Sequence, residues 1–339
     1  MDQAPTVPAT PEPEQVVASA WLDQTLWSAV ATQIGDSIRN WRVVAAVAGV
    51  LGLGLTIAAG ALSPSQLPGG ETGQKTFATL GVLLLALVPY LRQHLVSVER
   101  VQAWTMARHA SEQLKTTIYR HLMGVLPPAP LADGSEAPDP QGPGNLVRHC
   151  RAIKQTVAEL AGVAAATVPP EKKRKTQLSL DDYLADRVQG QMNHYRSKGE
   201  AYGRSTRRLQ VAEFVLGLVT VVLSALAGKL LPDDLTPDVV QSVAQVSSLL
   251  PWLALLAAAT TAVTTYIASS RNAELAAKFF ATYDLLKTIH DEWRVAPDRD
   301  DAARVHRFVD DIERAIASEY GGWVADWASS QQQQAPQPG

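Results

Sequence analysis

Four long apolar blocks, separated by charged segments, constrain this 339-residue chain more than any other feature. The first block has no charged residue between Arg42 and Glu71, and the last has none between Asp238 and Arg271. A bilayer core about 30 Å thick needs roughly 20 helical residues, so both blocks are long enough to cross it. The sequence therefore predicts an all-α integral membrane protein, although its hydrophobic fraction of 46% is ordinary for a globular chain.

The two remaining blocks are shorter and lie between Lys75 and Arg92 and between Glu213 and Lys229. Long basic side chains at their ends can reach the lipid headgroups, which lets a short helix span a bilayer. Each short block is joined to a long one by a brief segment with Pro or Gly, at 63–75 and 228–240. This pattern predicts four transmembrane helices in two hairpins. A soluble bundle with buried apolar helices is the alternative.

Basic residues lie almost entirely on one side of the predicted hairpins. Only Lys75 and Lys229 occur near the hairpin loops. Because Lys and Arg beside a span are retained in the cytoplasm, both loops are predicted to lie outside and both termini in the cytoplasm. The basic residues on the predicted cytoplasmic side are Arg39, Arg42, Arg92, Arg100, Arg108, Arg196, Lys198, Arg204, Arg207, Arg208, Arg271 and Lys278.

Helical periodicity continues beyond the apolar blocks. In the clearest case Val309, Ile312 and Ile316 recur every three or four residues near the C-terminus. Each half therefore has the order helix, hairpin, helix, which predicts a distant duplication. We expect hairpin units at 15–126 and 179–328, joined by a linker at 127–178 that contains a short helix and a basic run. The ends, 1–14 and 329–339, are predicted to be disordered.

No motif in the chain predicts catalysis. The pair Gly228-Lys229 lacks the upstream glycine of a phosphate-binding loop, and no H-x-x-x-H pair occurs among the seven histidines. The single cysteine, Cys150, cannot form an internal disulfide. The net charge of −3 provides no basic field for nucleic acid. We expect a protein that is not an enzyme and that binds no cofactor, metal or nucleic acid.

Small and weakly polar residues form faces on the apolar blocks. One face predicts close helix packing in lipid and comprises Ala45, Gly49, Gly52, Thr56 and Gly60. A second set predicts either helix packing or the lining of a pore in an oligomer: Thr220, Ser224, Thr260, Thr261, Thr264 and Thr265. Glu213 lies at the end of a block, about a turn from Arg208, so an interfacial ion pair between them is predicted.

Aromatic and charged positions recur on the helices around the second hairpin. They are Tyr183, Arg187, Gln191 and Tyr195 before it, and Asn272, Glu274, Phe308, Glu313 and Trp323 after it. This arrangement resembles the SLATT family, whose domains carry a two-helix membrane hairpin between long cytosolic helices. The first half, with Trp21, Gln24 and Trp27, resembles a second and more divergent copy.

The resemblance implies a non-enzymatic effector of bacterial conflict systems that sits in the inner membrane. Such effectors are proposed to form pores and are associated with partners that make or sense a nucleotide signal. We therefore predict a homo-oligomer in the lipid bilayer that opens a pore when its cytosolic helices or a partner receive a signal. The alternative is a structural scaffold with sealed hairpins whose cytosolic helices dock partners. A transporter would need a polar substrate site, which the sequence lacks.

Overall fold

A computed structural model of the chain describes residues 12–95, 97–130, 139–168, 174–229, 252–264, 266–267, 272–299 and 301–334. The described residues form helices, turns and loops without a β-strand, which confirms the predicted all-α class. The α-helices are α1 Pro13–Ala61, α2 Gly70–Leu95, α3 Val98–Leu122, α4 Pro143–Gln155, α5 Ala161–Ala165, α6 Leu180–Asp182, α7 Gly190–Lys229, α8 Trp252–Thr264, α9 Asn272–Val295 and α10 Ala302–Gln334. A π-helical segment, Tyr183–Gln189, joins α6 to α7.

The chain forms two compact units, and each draws on both halves of the sequence. One, the polar unit, comprises the described parts of Met1–Gly35, Val101–Ser197 and Lys278–Gly339. The other, the apolar unit, comprises the described parts of Asp36–Arg100 and Lys198–Ala277. The hairpin units predicted at 15–126 and 179–328 stay a prediction. The observed division follows polarity, because amphipathic and wholly apolar stretches of the same long helix need different surroundings.

The first hairpin closes through a short turn that satisfies the end of α1. Pro64–Gln66 form a 3₁₀ turn, and Gly69 and Gly70 adopt φ angles of 84° and 62°, a region that favours glycine. The side-chain amide nitrogen of Gln74 donates to the carbonyl oxygen of Ala59 at 2.7 Å. The last carbonyl groups of a helix have no partner within it, so this contact stabilises the C-terminus of α1.

Three described helical stretches are long and apolar enough to cross a bilayer: Pro13–Ala61, Gly70–Leu91 and Leu180–Leu226. Helix α8 is also apolar, but its described part is shorter. The chain itself buries 22% of the most apolar window of the first stretch, 11% of the second and none of the third. Their outer faces therefore present apolar side chains that the described chain does not cover. The count of four spans stays a prediction, because 230–251 lies outside the described residues.

The polar unit has a well-packed hydrophobic core. The stripe predicted on α10 is buried, with Val309, Ile312 and Ile316 each 0% exposed. Leu114 of α3 and Leu286 of α9 are equally inaccessible. The helical periodicity of the sequence thus identifies which faces of these helices meet.

Aromatic rings extend this core in an unbroken series. Trp21 and Tyr119 are 5.5 Å apart, and Tyr119 and Tyr183 are 6.0 Å apart, both edge to face. Tyr183 is 6.5 Å from Phe308, which stacks on Trp293 at 4.6 Å. Such geometries add to the area that the rings bury, so the series joins the N-terminal part of α1 to α3, α9 and α10.

Part of the predicted linker is held in place by one buried side chain. Asn145 of α4 is 0% exposed and accepts a hydrogen bond from the backbone nitrogen of Ala129 at 2.8 Å. Its amide nitrogen donates to the carbonyl oxygens of Pro127 and Pro140 at 2.9 and 2.7 Å. The described ends of this segment are therefore anchored to α4. Residues 131–138 lie outside the described part of the chain.

Candidate functional site

In the apolar unit, α1 approaches α2 through the small residues that the sequence predicts to pack. A Cβ atom added to Gly52 would lie 2.9 Å from the carbonyl oxygen of Gly81 and 3.0 Å from Leu84. One added to Gly49 would lie 3.7 Å from Val88, and Ala45 is 4% exposed. Only glycine at position 52 permits so close an approach of the two backbones.

The other two residues of that predicted face differ from each other. Thr56 donates from its hydroxyl to the carbonyl oxygen of Gly52 at 2.9 Å, on the side facing Gly81. A Cβ atom added to Gly60 would meet no heavy atom within 4 Å. At Gly60 this face of α1 is therefore not closely packed by the described residues.

Among the six residues predicted to line a pore, the described ones differ in their surroundings, and the pore face stays a prediction. Three of them, Thr220, Thr260 and Thr261, donate to the carbonyl group four residues earlier in their own helix at 2.8 to 2.9 Å. Ser224 and Thr261 are exposed. Thr265 lies outside the described residues.

Thr264 makes a polar contact between α8 and α7. Its hydroxyl donates to Oε1 of Glu213 at 2.5 Å. The described residues contain no ion pair between Glu213 and Arg208, in contrast to the prediction. Positions five apart on an α-helix point in directions about 140° apart, so these two side chains diverge.

Glu213 begins a half-buried face of α7 that continues at helical spacing. This inner face of α7 comprises Glu213, Leu216, Gly217, Thr220 and Leu223. Phe214 and Val221, which are 70% and 65% exposed, lie about 80–100° around the helix from Glu213. The contact with Thr264 directs the carboxylate toward α8.

The polar unit contains a fully buried ion pair. Arg187, in the π-helical segment, places Nε 2.8 Å and Nη2 2.6 Å from the two carboxylate oxygens of Glu313 in α10. Both side chains are 0% exposed. The guanidinium fork matches a carboxylate in this bidentate geometry, which partly offsets the large cost of removing both charges from water.

Neighbouring groups complete the hydrogen bonding of this pair. The Tyr183 hydroxyl donates to Oε1 of Glu313 at 3.1 Å, and Nη2 of Arg187 donates to the Thr116 hydroxyl at 3.2 Å. The ring of Tyr119 lies 4.8 Å from the guanidinium carbon, within cation–π range. Burial, and then the Glu313 carboxylate, raise the pKa of Tyr183, which keeps its hydroxyl a donor.

A second cation, Lys115 of α3, lies beside the pair. With its amide oxygen turned toward them, Gln191 accepts from Nζ of Lys115 at 3.1 Å and from Nη1 of Arg187 at 2.8 Å. Burial, and then the charge of Arg187, lower the pKa of Lys115 to about 8. Burial by itself would also lower the pKa of Arg187, but the Glu313 carboxylate overrides it and raises that pKa. Arg187 thus stays charged, whereas Lys115 loses its proton at a lower pH than an ordinary lysine.

The sequence indicates Tyr183, Arg187 and Gln191 before the second hairpin and Glu313 after it. It does not predict that Arg187 and Glu313 form an ion pair. Glu313 follows Ile312 and stands four residues after Val309 on the buried stripe of α10. An acid in such a position requires a cationic partner, so this signal was present in the sequence. Lys115 and Thr116 gave no comparable signal, because only the packing of α3 brings them to the pair.

A cleft of about 410 Å³ opens on the polar unit between α1 and the segment after α5. Gln24 is 5% exposed there, and its amide nitrogen donates to the Ser111 hydroxyl at 3.1 Å. The side-chain oxygen of Gln24 has no hydrogen-bond partner among the described residues. The polar residues that line the cleft are Gln24, Thr25, Ser28, Thr32, Gln33, Thr167 and Arg174. Sequence reasoning did not foresee it.

Within the described residues, no group of three His, Cys, Asp or Glu side chains is placed to hold a metal ion. Cys150 is 5% exposed, and burial raises its pKa to about 12. A thiol with so high a pKa is a poor nucleophile, since the thiolate is the reactive form.

These features define an all-α protein whose described residues include apolar helices of membrane-spanning length. Residues 234–323 match the family described as SMODS and SLOG-associating 2TM effector domain 1. The resemblance inferred from the sequence is therefore confirmed for this segment, which is similar to the SLATT family. The match includes α8 and α9 but not the first half, so a tandem copy stays a prediction. Neither the curated proteins nor the solved structures yield a significant match to the chain.

Proposed function

We propose that this chain is a non-enzymatic membrane effector whose apolar unit forms an ion-conducting pore. The apolar unit itself carries the proposal, because helices of spanning length leave their outer faces uncovered by the chain. A bilayer would cover such faces. The inner face of α7 carries Glu213 and Thr220 instead, which are groups that tolerate water. The SLATT match supports the same proposal, since that domain is described as a two-transmembrane effector.

The proposal includes a location and partners. The excess of Lys and Arg on one side of the hairpins supports a bacterial inner membrane with both termini in the cytoplasm. We expect several copies of the chain to surround one pore, because pores are commonly built from rings of identical helices. The polar unit would then receive a signal from a nucleotide-making or nucleotide-sensing partner.

Ion flux from liposomes tests this proposal. The purified full-length chain, reconstituted in potassium-loaded liposomes, should release potassium when candidate nucleotide signals are added. Thr220→Phe should reduce the release, because it adds bulk to the inner face of α7. Val221→Phe is the matched control on the outer face, where the native side chain is 65% exposed, and should leave the release unchanged. Inserted protein that never releases potassium would contradict the proposal.

A scaffold is the second candidate, and one observation favours it. The hydroxyls of Thr220, Thr260 and Thr261 are satisfied by carbonyl groups of their own helices, so they do not require water. Under this alternative the chain fractionates with membranes and binds a partner through the polar unit. Equal and negligible flux from the wild type, Thr220→Phe and Val221→Phe would favour the scaffold.

A further inference from the structure

We propose that Glu213 makes the pore select cations over anions. The inference rests on the proposed function and adds the class of ion to it. Its basis is the juxtaposition of a carboxylate, an open space and a hydroxyl along the inner face of α7.

Glu213 stands at the edge of an apolar stretch. No charged residue occurs from 214 to 228, and the nearest charged residue before Glu213 is Arg208. An acid deep in a bilayer is costly, whereas one at its edge can keep contact with water. Because α7 enters this stretch from its strongly basic side, Glu213 would lie at the cytoplasmic mouth of the pore.

One oxygen of the Glu213 carboxylate accepts a hydrogen bond, and the other has no partner among the described residues. Oε1 accepts the hydrogen bond from Thr264 at 2.5 Å. Among the described residues no donor or cation contacts Oε2. The Thr264 hydroxyl thus fixes the direction of the carboxylate without neutralising its charge.

Open space follows the carboxylate along the same face. Gly217 and Thr220 stand four and seven residues after Glu213, so all three point to one side of α7. A Cβ atom added to Gly217 would meet no heavy atom of the described residues within 4 Å. At 1.5 Å of rise per residue, this face spans about 10 Å from the acid to the Thr220 hydroxyl.

The nearby arginines do not cancel this charge on the inner face. Arg207 and Arg208 are both exposed, six and five residues before Glu213. At 100° per residue, each points more than about 100° away from the direction of Glu213. They are placed to contact lipid headgroups, while the Glu213 carboxylate is directed toward α8.

A carboxylate at a pore mouth raises the local concentration of cations and lowers that of anions. Rings of acidic side chains produce cation selectivity in this way. Repeated once per copy in an oligomer, Glu213 would form such a ring. Its removal should lower the cation-to-anion permeability ratio by on the order of tenfold.

Reversal potentials across a planar bilayer with a KCl gradient test the inference on the full-length chain. The wild type should give a potassium-to-chloride permeability ratio above one. Glu213→Gln should bring that ratio down toward one, and Glu213→Asp should preserve the cation preference. Glu71→Gln is the matched control, because Glu71 is exposed beside Lys75 in the first hairpin and should not change the ratio.

The outcomes separate the inference from the proposed function. A chain without any conductance overturns both. A conducting wild type that prefers chloride overturns the inference alone, and this measurement needs no variant to fold. A cation-selective wild type whose ratio is unchanged in Glu213→Gln also overturns it. A ratio that falls in Glu213→Gln, and is retained in Glu213→Asp and Glu71→Gln, supports it.

Discussion

At the scale of single residues, the polar unit contains two charged side chains that are fully buried. Arg187 and Glu313 are both 0% exposed, and their bidentate contact is completed by Tyr183 and Thr116. Replacing a buried pair by apolar groups is often neutral, whereas removing one partner leaves an uncompensated charge. The pair therefore contributes little to the net free energy of folding and acts mainly by specifying which helices pack together.

This asymmetry gives a double-variant prediction. Glu313→Gln should lower the stability of the full-length chain by about 3–5 kcal/mol, since it leaves the Arg187 charge without its counter-ion. Arg187→Met combined with Glu313→Leu should recover most of that loss. Thermal melting in detergent, followed by circular dichroism, measures both. A double variant as unstable as Glu313→Gln would contradict this account.

An exposed acid on the same helix serves as the control. Asp311 contacts Arg314 at 3.2 Å, and their side chains are 52% and 67% exposed. Because water and salt screen such a pair, Asp311→Asn should change the stability by less than about 1 kcal/mol.

Lys115 leads to a prediction about pH. Its pKa is lowered to about 8 from an ordinary value of 10.5, first by burial and then by Arg187. Between these two pH values the unfolded chain binds more protons than the folded chain, so stability should rise with pH across that window. Below about pH 8 the full destabilising effect of the buried charge is present.

Lys115→Met should therefore stabilise the chain at pH 7 and reduce its gain in melting temperature between pH 8 and 10. An increase of 1 kcal/mol in the free energy of unfolding raises the melting temperature by about 2–4 °C in a large domain. Lys287→Met is the control, because Lys287 is exposed and Asp291 raises its pKa instead. Identical pH profiles for the wild type and Lys115→Met would show that the amine is not held in a low-pKa environment.

At the scale of elements, the close packing of α1 on α2 depends on glycine residues, which have no side chain. Gly52 and Gly81 let the two backbones approach, and Thr56 satisfies the carbonyl group of Gly52. Without a hydrophobic driving force between helices in lipid, such close packing is a main source of helix association.

Gly52→Ala should loosen this hairpin, while Gly60→Ala should not. The added methyl group at position 52 would lie 2.9 Å from a backbone oxygen that cannot move away without separating the helices. Overpacking of this kind costs about 1–3 kcal/mol. At position 60 the same methyl group meets open space. Hydrogen exchange over 43–61, measured by mass spectrometry, reports the local opening. Equal exchange in both variants would mean that this contact does not hold the hairpin together.

At the scale of the whole molecule, orientation in the membrane is the property that most needs a test. Because Cys150 is buried and its pKa is raised to about 12, the wild type should react slowly with maleimides. Single cysteines can therefore report the topology without removal of the native thiol. Ser65 in the first hairpin turn and Asp311 in α10 are both exposed positions.

In intact spheroplasts, Ser65→Cys should react with a membrane-impermeant maleimide, and Asp311→Cys should react only after permeabilisation. This result follows from the excess of basic residues on the side opposite the hairpin loops. The reverse pattern would overturn the proposed orientation. Equal labelling of both without permeabilisation would contradict membrane insertion.

Four features can be predicted from the amino-acid sequence alone: the helical class, the apolar blocks, the buried stripe of α10 and the SLATT resemblance. These features follow from composition and from periodicities of three to four residues, which are local properties of the chain. The tertiary structure alone decided the division into a polar and an apolar unit, the pairing of Arg187 with Glu313 and the contact of Glu213 with Thr264. Such contacts join residues 126 and 51 positions apart, and their partners depend on how whole helices pack. Helix packing is set by the shape of both surfaces together, which no single segment of sequence contains.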